Sequence, residues 1–269
     1  MPKRTDSQSS IDIRERWGTG WKPDAFDERD YAAAARFGAP RSLPSEALGL
    51  RDFIRRVKDQ ASSSSCVGQA ISSAIDTRIR RLKIAWPEPS SVAPYIMARR
   101  IATPKGTKLA DDGCFPRDAM KAVREVGLPS EEAVPFDLSK MNDDLTWADF
   151  QDASKLIVFQ WFRIYAQGAS RADEVANALS QGIPVVCGID LDAGFFRYNG
   201  GVIEAWGPER KGGHMVTIVG YRTNAHGFRE FLVLNSWGER WGIGGFFWLH
   251  EDALASGRVS DLYALVVSP

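Results

Sequence analysis

The chain has 269 residues, with 34 Lys and Arg against 34 Asp and Glu, three His, three Cys and 44% hydrophobic residues. That length buries a sizeable core and suits one domain or two halves sharing a cleft. The balanced charge, with no block of like sign, excludes the electrostatic footprint of a nucleic-acid or anionic-membrane partner. No apolar run reaches the roughly 18 residues of a spanning helix, and the start, Met1-Pro2-Lys3-Arg4, lacks a signal peptide's apolar core. Cytoplasmic residence is the default expectation, with unconventional export left open, and a monomer is the favoured state.

Residues 1 to about 42 are polar and glycine-interrupted, with Trp17, Trp21, Phe26, Tyr31 and Phe37 as apolar anchors. These are too few for a core of their own but enough to dock on one, as a latch over a cleft or as a purely structural arm. A polar loop, Asp59 to Ser65, then ends on Cys66, after which Val67, Ala70, Ile71, Ala74, Ile75, Ile79 and Leu82 recur at helical spacing. The pattern predicts a helix from Cys66 to about Lys83, stopped by Pro87 and Pro89. Further helices are predicted at Pro94–Ile101, at Pro116–Val126 between its proline start and Gly127, and more weakly at Asn142–Ala153. Near Leu156 the character changes. Leu156–Tyr165 and Ile183–Ile189 read as strands flanking a helix capped by Ser170 and ended by Gly182, and Tyr198–Ile203 reads as a hairpin. Gly212–Tyr221 alternates like a half-buried strand and turns through Thr223–Phe228 into a second strand from Phe231, with Phe246–Leu249 and Leu262–Val267 completing the set. Helices first and strands second predict an α+β protein: an extension (1–42), a helical half (43–156) and a β-rich half (157–269), with a cleft between the halves.

Cys66 falls at a helix N-terminus, where unpaired N–H groups and the dipole favour a thiolate nucleophile, although most free cysteines are merely buried. Among the three histidines, His226 sits in a turn and His250 beside Glu251 and Asp252, so His214, at the glycine-rich start of a strand, is the candidate base. The adjoining strand can bring Asn235 beside it, giving a nucleophile, a base and a group that orients the base. No histidines and cysteines are spaced as metal ligands, so no metal and no cofactor are expected.

Gln60 six positions before Cys66, His214 before a strand ending Val219-Gly220-Tyr221, and Asn235-Ser236-Trp237-Gly238 followed by Trp241-Gly242 and Gly244-Gly245 resemble the papain/cathepsin family of cysteine peptidases. Gly20 to Asp24 and Arg29-Asp30 resemble the lead-in of its prokaryotic branch. The resemblance implies the papain-like two-half fold and a cysteine endopeptidase that hydrolyses protein or peptide substrates through an acyl-thioester. It implies Cys66 as nucleophile in a thiolate–imidazolium pair with His214, Asn235 as orienter shielded by Trp237, and Gln60 with the Cys66 backbone N–H as oxyanion donors. Ser64, Ser65, Gly113, Cys114 and Gly213 fall along the substrate cleft, and Pro116 and Leu265 where the family's S2 pocket has its wall and floor, so an apolar P2 side chain is implied. The family's cleft disulfide is lost at both ends, to Ser63 and Asp111. Ala61, Ser64 and Val67 depart from the pattern, which leaves open an acyltransferase, a deamidase, a narrow-specificity effector with the same triad or a non-catalytic binding relative.

Overall fold

A computed structural model of the protein describes residues 17–38, 42–151, 153 and 158–268. Among the described residues the elements run α1 (Ala33–Phe37), β1 (Glu46–Ala47), α2 (Cys66–Arg81), α3 (Ala93–Ala102), α4 (Pro116–Val126), β2 (Val158–Arg163), α5 (Ala169–Ser180), β3 (Val185–Leu191), β4 (Val202–Ile203), β5 (Gly212–Thr223), β6 (Arg229–Leu234), β7 (Phe246–His250), α6 (Glu251–Ala255) and β8 (Val259–Ser268). Four helices, α1 to α4, interrupted only by the two-residue β1, precede a strand-rich remainder, the α+β order expected from the sequence.

The apolar stripe after Cys66 does more than cover one face. Cys66, Val67, Ile71, Ala74, Ile75 and Ile79 are buried, and so are Gly68, Gln69, Ser72 and Thr77 around the rest of α2. A helix buried on most sides must have neighbours close by. A Cβ on Gly68 would lie 2.7 Å from the Ser91 carbonyl oxygen, which shows how near the approach to α3 comes. The helix ends at Arg81, short of the expected Lys83, because Lys83 adopts φ +56°. On the other side, the Thr217 hydroxyl of β5 donates to the Ala70 carbonyl at 3.0 Å and ties helix to sheet.

The sheet runs β2-β8-β3-β5-β6-β7-β4, with β1 against β5. Its two faces follow the period of two along each strand. Val185, Cys187 and Ile189 of β3 and Val216 and Ile218 of β5 pack with Val175, Ala176 and Leu179 of α5. Val186 and Met215 point the other way, into a cluster with Val67, Ile71 and Ile75 of α2. The sheet thus separates α5 from the α2–α4 layer. In register, His214 of β5 lies opposite Ile189 of β3, at the end of the sheet nearest the start of α2.

Three expectations are corrected. In place of a helix at Asn142–Ala153 there is a single 3-10 turn, Trp147–Phe150, closed by a Thr146/Asp149 capping box. Trp147 is 84% exposed, so the segment has no buried stripe to propagate a helix. Tyr198–Ile203 is no hairpin: Phe195 and Phe196 are buried in a 3-10 turn, and β4 pairs in parallel with β7. Helix α5 starts from Gly168 at φ 57° without a side-chain cap, not from Ser170. Residues 1–16 and 39–41 of the extension, residue 152 of the expected fourth helix, and residues 154–157 at the boundary of the two halves lie outside the described residues.

All three cysteines are free and buried. Where the disulfide is missing, Asp111 accepts from the Ser64 backbone N–H at 2.9 Å, and the Ser64 hydroxyl donates to the Asp111 carbonyl at 3.0 Å. Hydrogen bonds therefore hold the loop before α2. Melting temperatures measured with and without reductant should agree to within about 1 °C, whereas losing a stabilising disulfide would lower the midpoint by several degrees.

Candidate active site

The loop that delivers Cys66 is ordered by its own polar groups. The Gln60 backbone N–H donates to the Ser236 carbonyl at 2.9 Å, and the Ser63 backbone N–H and hydroxyl both donate to the Gln60 carbonyl, at 3.1 and 2.7 Å. Ser63 and Ser65 share a hydrogen bond of 2.8 Å. Gln60 itself is fully buried; its side-chain oxygen accepts from the Ser236 hydroxyl at 2.6 Å, so its amide nitrogen is aimed the opposite way. On the facing wall, His214 Nε2 and Asn235 Oδ1 lie 2.7 Å apart, and Asn235 Oδ1 also accepts from the Ser236 N–H at 2.8 Å. With its oxygen held twice, Asn235 fixes the ring's orientation. Trp237 covers this pair, its centroid 4.7 Å from that of His214 and 5.4 Å from Phe195 and from Phe196. Cys66, His214, Asn235 and Gln60 are thus gathered around the N-terminus of α2 and the start of β5.

The cleft between these walls is filled by the chain's own N-terminal segment. Gly18 N–H donates to the Ala61 carbonyl at 2.9 Å, and the N–H groups of Gly20 and Trp21 both donate to the Gly213 carbonyl, at 2.9 and 3.2 Å. Cys114 N–H donates to the Gly20 carbonyl at 3.0 Å while Lys22 N–H donates to the Cys114 carbonyl at 3.1 Å, a parallel bridge between Trp21 and Cys114. The Gly18 carbonyl receives Gln60 Nε2 at 3.1 Å and Trp237 Nε1 at 3.2 Å. Apart from these two side-chain donors, the contacts are of backbone with backbone. A Cβ on Gly18 would sit 1.8 Å from the Ser63 carbonyl oxygen, one on Gly20 2.0 Å from that of Ser64, and one on Gly113 2.1 Å from that of Gly20. Trp17 stacks on Trp237 at 5.4 Å, and Trp21, 6% exposed, enters a buried cluster with Cys66, Cys114, Met215, Tyr263 and Leu265.

This strap changes the charge state expected of the site. Burial pushes the Cys66 thiol up to about 12, against a smaller pull downward from the N–H groups of Met215, Val67 and Trp21. Burial also lowers His214 to about 4, only partly offset by Asn235. Among the described residues His214 Nδ1 has no hydrogen-bond partner. Burial in the closed site thus favours the neutral thiol and the neutral imidazole over the charged forms, because the strap excludes the water that would solvate them.

Comparison with known proteins matches residues 45–264 to the model of the papain family cysteine proteases. The chain belongs to the papain family. Cathepsin B-like CP3 of Giardia intestinalis is 27% identical over 255 residues, covering 92% of this chain and 81% of the relative. Among solved structures, xylellain, a cysteine protease from Xylella fastidiosa, is 24% identical with a TM-score of 0.78 and full coverage of both chains. Procathepsin B S9 from Trypanosoma congolense is 17% identical with a TM-score of 0.70, covering 96% and 90%. Family membership makes the protein a cysteine-type peptidase, a hydrolase.

Around this papain-family site the remaining predicted positions are spread unevenly. Ser64, Ser65, Gly113, Cys114 and Gly213 line the strap or the loop beneath it. Pro116 opens α4 and is buried. Leu265 is buried in the same cluster as Trp21, but the group that meets the Trp21 indole is Asp261, whose Oδ2 accepts from Nε1 at 3.0 Å. Sequence reasoning missed Asp261, Ser236 and the strap's Gly18 and Gly20. The alternating glycines before Trp21 were the one local signal of a backbone that must pass through a narrow place.

Past Trp21 the strap is held by buried charge. Asp24 N–H donates to Asp261 Oδ2 at 2.7 Å, and the Asp24 carboxylate accepts from Tyr263 Oη at 2.7 Å and from the Arg117 N–H. Burial first, and then the Asp261 charge, raises Asp24 from 3.8 to about 7, with Tyr263 and Arg117 pulling it down. Burial raises Asp261 as well. Below its free value Asp24 is protonated whether docked or released, and the docked state keeps its full advantage. As pH rises from about 4 to about 7, release gives a proton up to solvent and is increasingly favoured, so docking weakens across that window and levels off above it. An Asn at position 24 remains neutral throughout. The rate of Cys66 alkylation by iodoacetamide in the wild type, divided by that in Asp24→Asn, should be near one at about pH 4, rise by up to roughly tenfold per unit and flatten above about pH 7. A ratio independent of pH would show that Asp24 does not govern docking.

Proposed function

We propose that this papain-family peptidase is an endopeptidase that works through an acyl-thioester on Cys66, and that residues 18–24 hold it closed until they lift. In the open site the Cys66 sulfur attacks the scissile carbonyl carbon while His214 takes the thiol proton. The carbonyl becomes an oxyanion facing Gln60 Nε2 and the Cys66 N–H, and collapses as His214 returns the proton to the leaving amine. Water, deprotonated by His214, then cleaves the thioester and restores the thiol. Asn235 keeps the ring in register, and Trp237 keeps water from their hydrogen bond.

One observation carries the closed state. The Gly18 carbonyl already occupies the Gln60 Nε2 donor, at 3.1 Å, which the oxyanion would need. The segment also runs backwards. A substrate's P2 residue precedes the residue whose carbonyl is attacked, whereas Trp21, in the apolar cluster assigned to P2, follows Gly18. A strap of this polarity blocks the site without presenting a bond for cleavage. The same cluster supports an apolar P2 side chain, and the extension, residues 1 to about 42, is read as an inhibitory arm.

Cys66→Ala and His214→Ala should each abolish hydrolysis of a fluorogenic peptide, Asn235→Ala should leave a reduced rate, and Gln60→Ala should lower kcat by about 10²–10³. Hydrolysis without added amine separates a peptidase from a dedicated acyltransferase. Gly20→Ala cannot keep the strap seated, since its Cβ would lie 2.0 Å from the Ser64 carbonyl oxygen. It should raise kcat/KM by tenfold or more, which corresponds to about 1.4 kcal/mol in the closing equilibrium. An unchanged kcat/KM in a folded Gly20→Ala protein would refute the latch.

A further inference from the structure

We infer that Asp261 is the specificity-determining group of the pocket that Trp21 fills, and that the pocket selects a neutral aromatic N–H donor, making tryptophan the favoured P2 residue of a substrate. The inference rests on the peptidase reading only for the name of that substrate position; the pocket itself is tested without catalysis.

The pocket is built for an indole on both counts, width and polarity. A Cβ on Gly188, in the middle of β3, would lie 2.1 Å from Trp21 Cε2, and its three nearest neighbours are all atoms of that indole. A Cβ on Gly213 would come within 3.0 Å of Trp21 Cε3. Two glycines on neighbouring strands therefore open a slot as wide as two fused rings. At its end Asp261 Oδ2 takes the indole N–H at 3.0 Å and the Asp24 N–H at 2.7 Å, while Oδ1 takes Arg163 Nη2 at 2.9 Å. Asp261 is 3% exposed and sits at φ +49°, a conformation that Asp and Asn tolerate better than most side chains.

When residues 18–24 lift, Oδ2 loses both donors and Oδ1 keeps its guanidinium. The open pocket then ends in a carboxylate oxygen that water satisfies until a substrate side chain displaces it. Phenylalanine or leucine would fill the walls and leave that oxygen unpaired, the costly arrangement for a buried polar group. A cationic side chain meets a different obstacle. Asp30 is held by Arg117 through both of its oxygens, at 3.2 and 2.6 Å, and by Arg163 at 3.4 Å. With Asp24 gone, Asp261 and Asp30 are balanced by Arg117 and Arg163, so an added cation is uncompensated and lies beside the Arg163 guanidinium. An anionic side chain is opposed by Asp261. A neutral donor on a flat ring satisfies the oxygen without adding charge, which is the role Trp21 plays in the closed protein.

The test uses full-length Trp21→Gly, which empties the pocket, and free small aromatics as probes. Indole should bind, read as a concentration-dependent rise in melting temperature, roughly 10- to 100-fold more tightly than indene, its near-isostere without the N–H; that is the range of a hydrogen bond to a charged acceptor. In the same background Asp261→Asn should shrink the preference to a few-fold, and Gly188→Ala should exclude indole. Indene binding as tightly as indole, or an unchanged preference in Asp261→Asn, overturns the inference. Should Trp21→Gly fail to fold, Trp21→Phe keeps a ring but no donor; it should speed alkylation of Cys66 by iodoacetamide tenfold or more, and less than a twofold change overturns the inference. With Gly20→Ala as enzyme, peptides carrying Trp at P2 should exceed those with Phe, Leu or Arg by at least tenfold in kcat/KM. Indole selectivity without any peptide cleavage would instead count against the peptidase reading and leave the pocket assignment standing.

Discussion

Among the carbonyl oxygens of Ser63 and Ser64 and the backbone of Gly113 and Gly213 there is room for a peptide backbone and nothing bulkier. A Cβ at position 18 or 20 would fall about 2 Å from the Ser63 or Ser64 carbonyl oxygen, and one at position 113 about 2 Å from the Gly20 carbonyl oxygen of the strap. That steric limit explains why the occupying segment reads Gly-Thr-Gly-Trp, with a large side chain only where a separate pocket opens. It also explains why the walls are so heavily hydrogen-bonded. Thr217 locks α2 to β5, and Asp111 ties down Ser64 where the usual disulfide is absent, so the gap keeps its width without a covalent staple.

The same closeness decides the electrostatics. A thiol and an imidazole sealed from water favour their neutral forms, and the N-terminus of α2 does not reverse this while the strap is seated. Opening would readmit water and shift both groups toward the charged pair together. In the proposed latch, access to the site would thus be coupled to its chemistry through solvation.

Much of this was legible in the chain. Cys66 does begin a helix, His214 opens a strand, and Asn235 reaches it across a neighbouring strand, because periodicity and turn chemistry are local signals. The losses came from long-range effects. Tyr198-Asn199-Gly200-Gly201 looked like a hairpin, yet burial of Phe195 and Phe196 beneath Trp237 and Trp241 drew the chain into a parallel pairing with β7. Asp261 was passed over because an acidic residue inside an apolar run reads as a solvent-facing position, and its partners, Trp21, Asp24 and Arg163, lie roughly 100 to 240 residues away. Gln60 was found only through its offset from Cys66; Ser236 lay in the Asn235-Ser236-Trp237-Gly238 motif, but nothing local showed that its hydroxyl would aim Gln60.

The reversed polarity of residues 18–22 has a kinetic consequence. A strap acting as the proposed inhibitor from within the same chain would act at an effective concentration set by its tether, on the order of millimolar for a short one. Dilution would not release it, and crowding many copies together would not tighten it, because such closing is unimolecular. The proportion of open molecules would thus be a property of the single chain, the same in a sparse solution as in a dense one. A substrate would have to outcompete a segment that is always present.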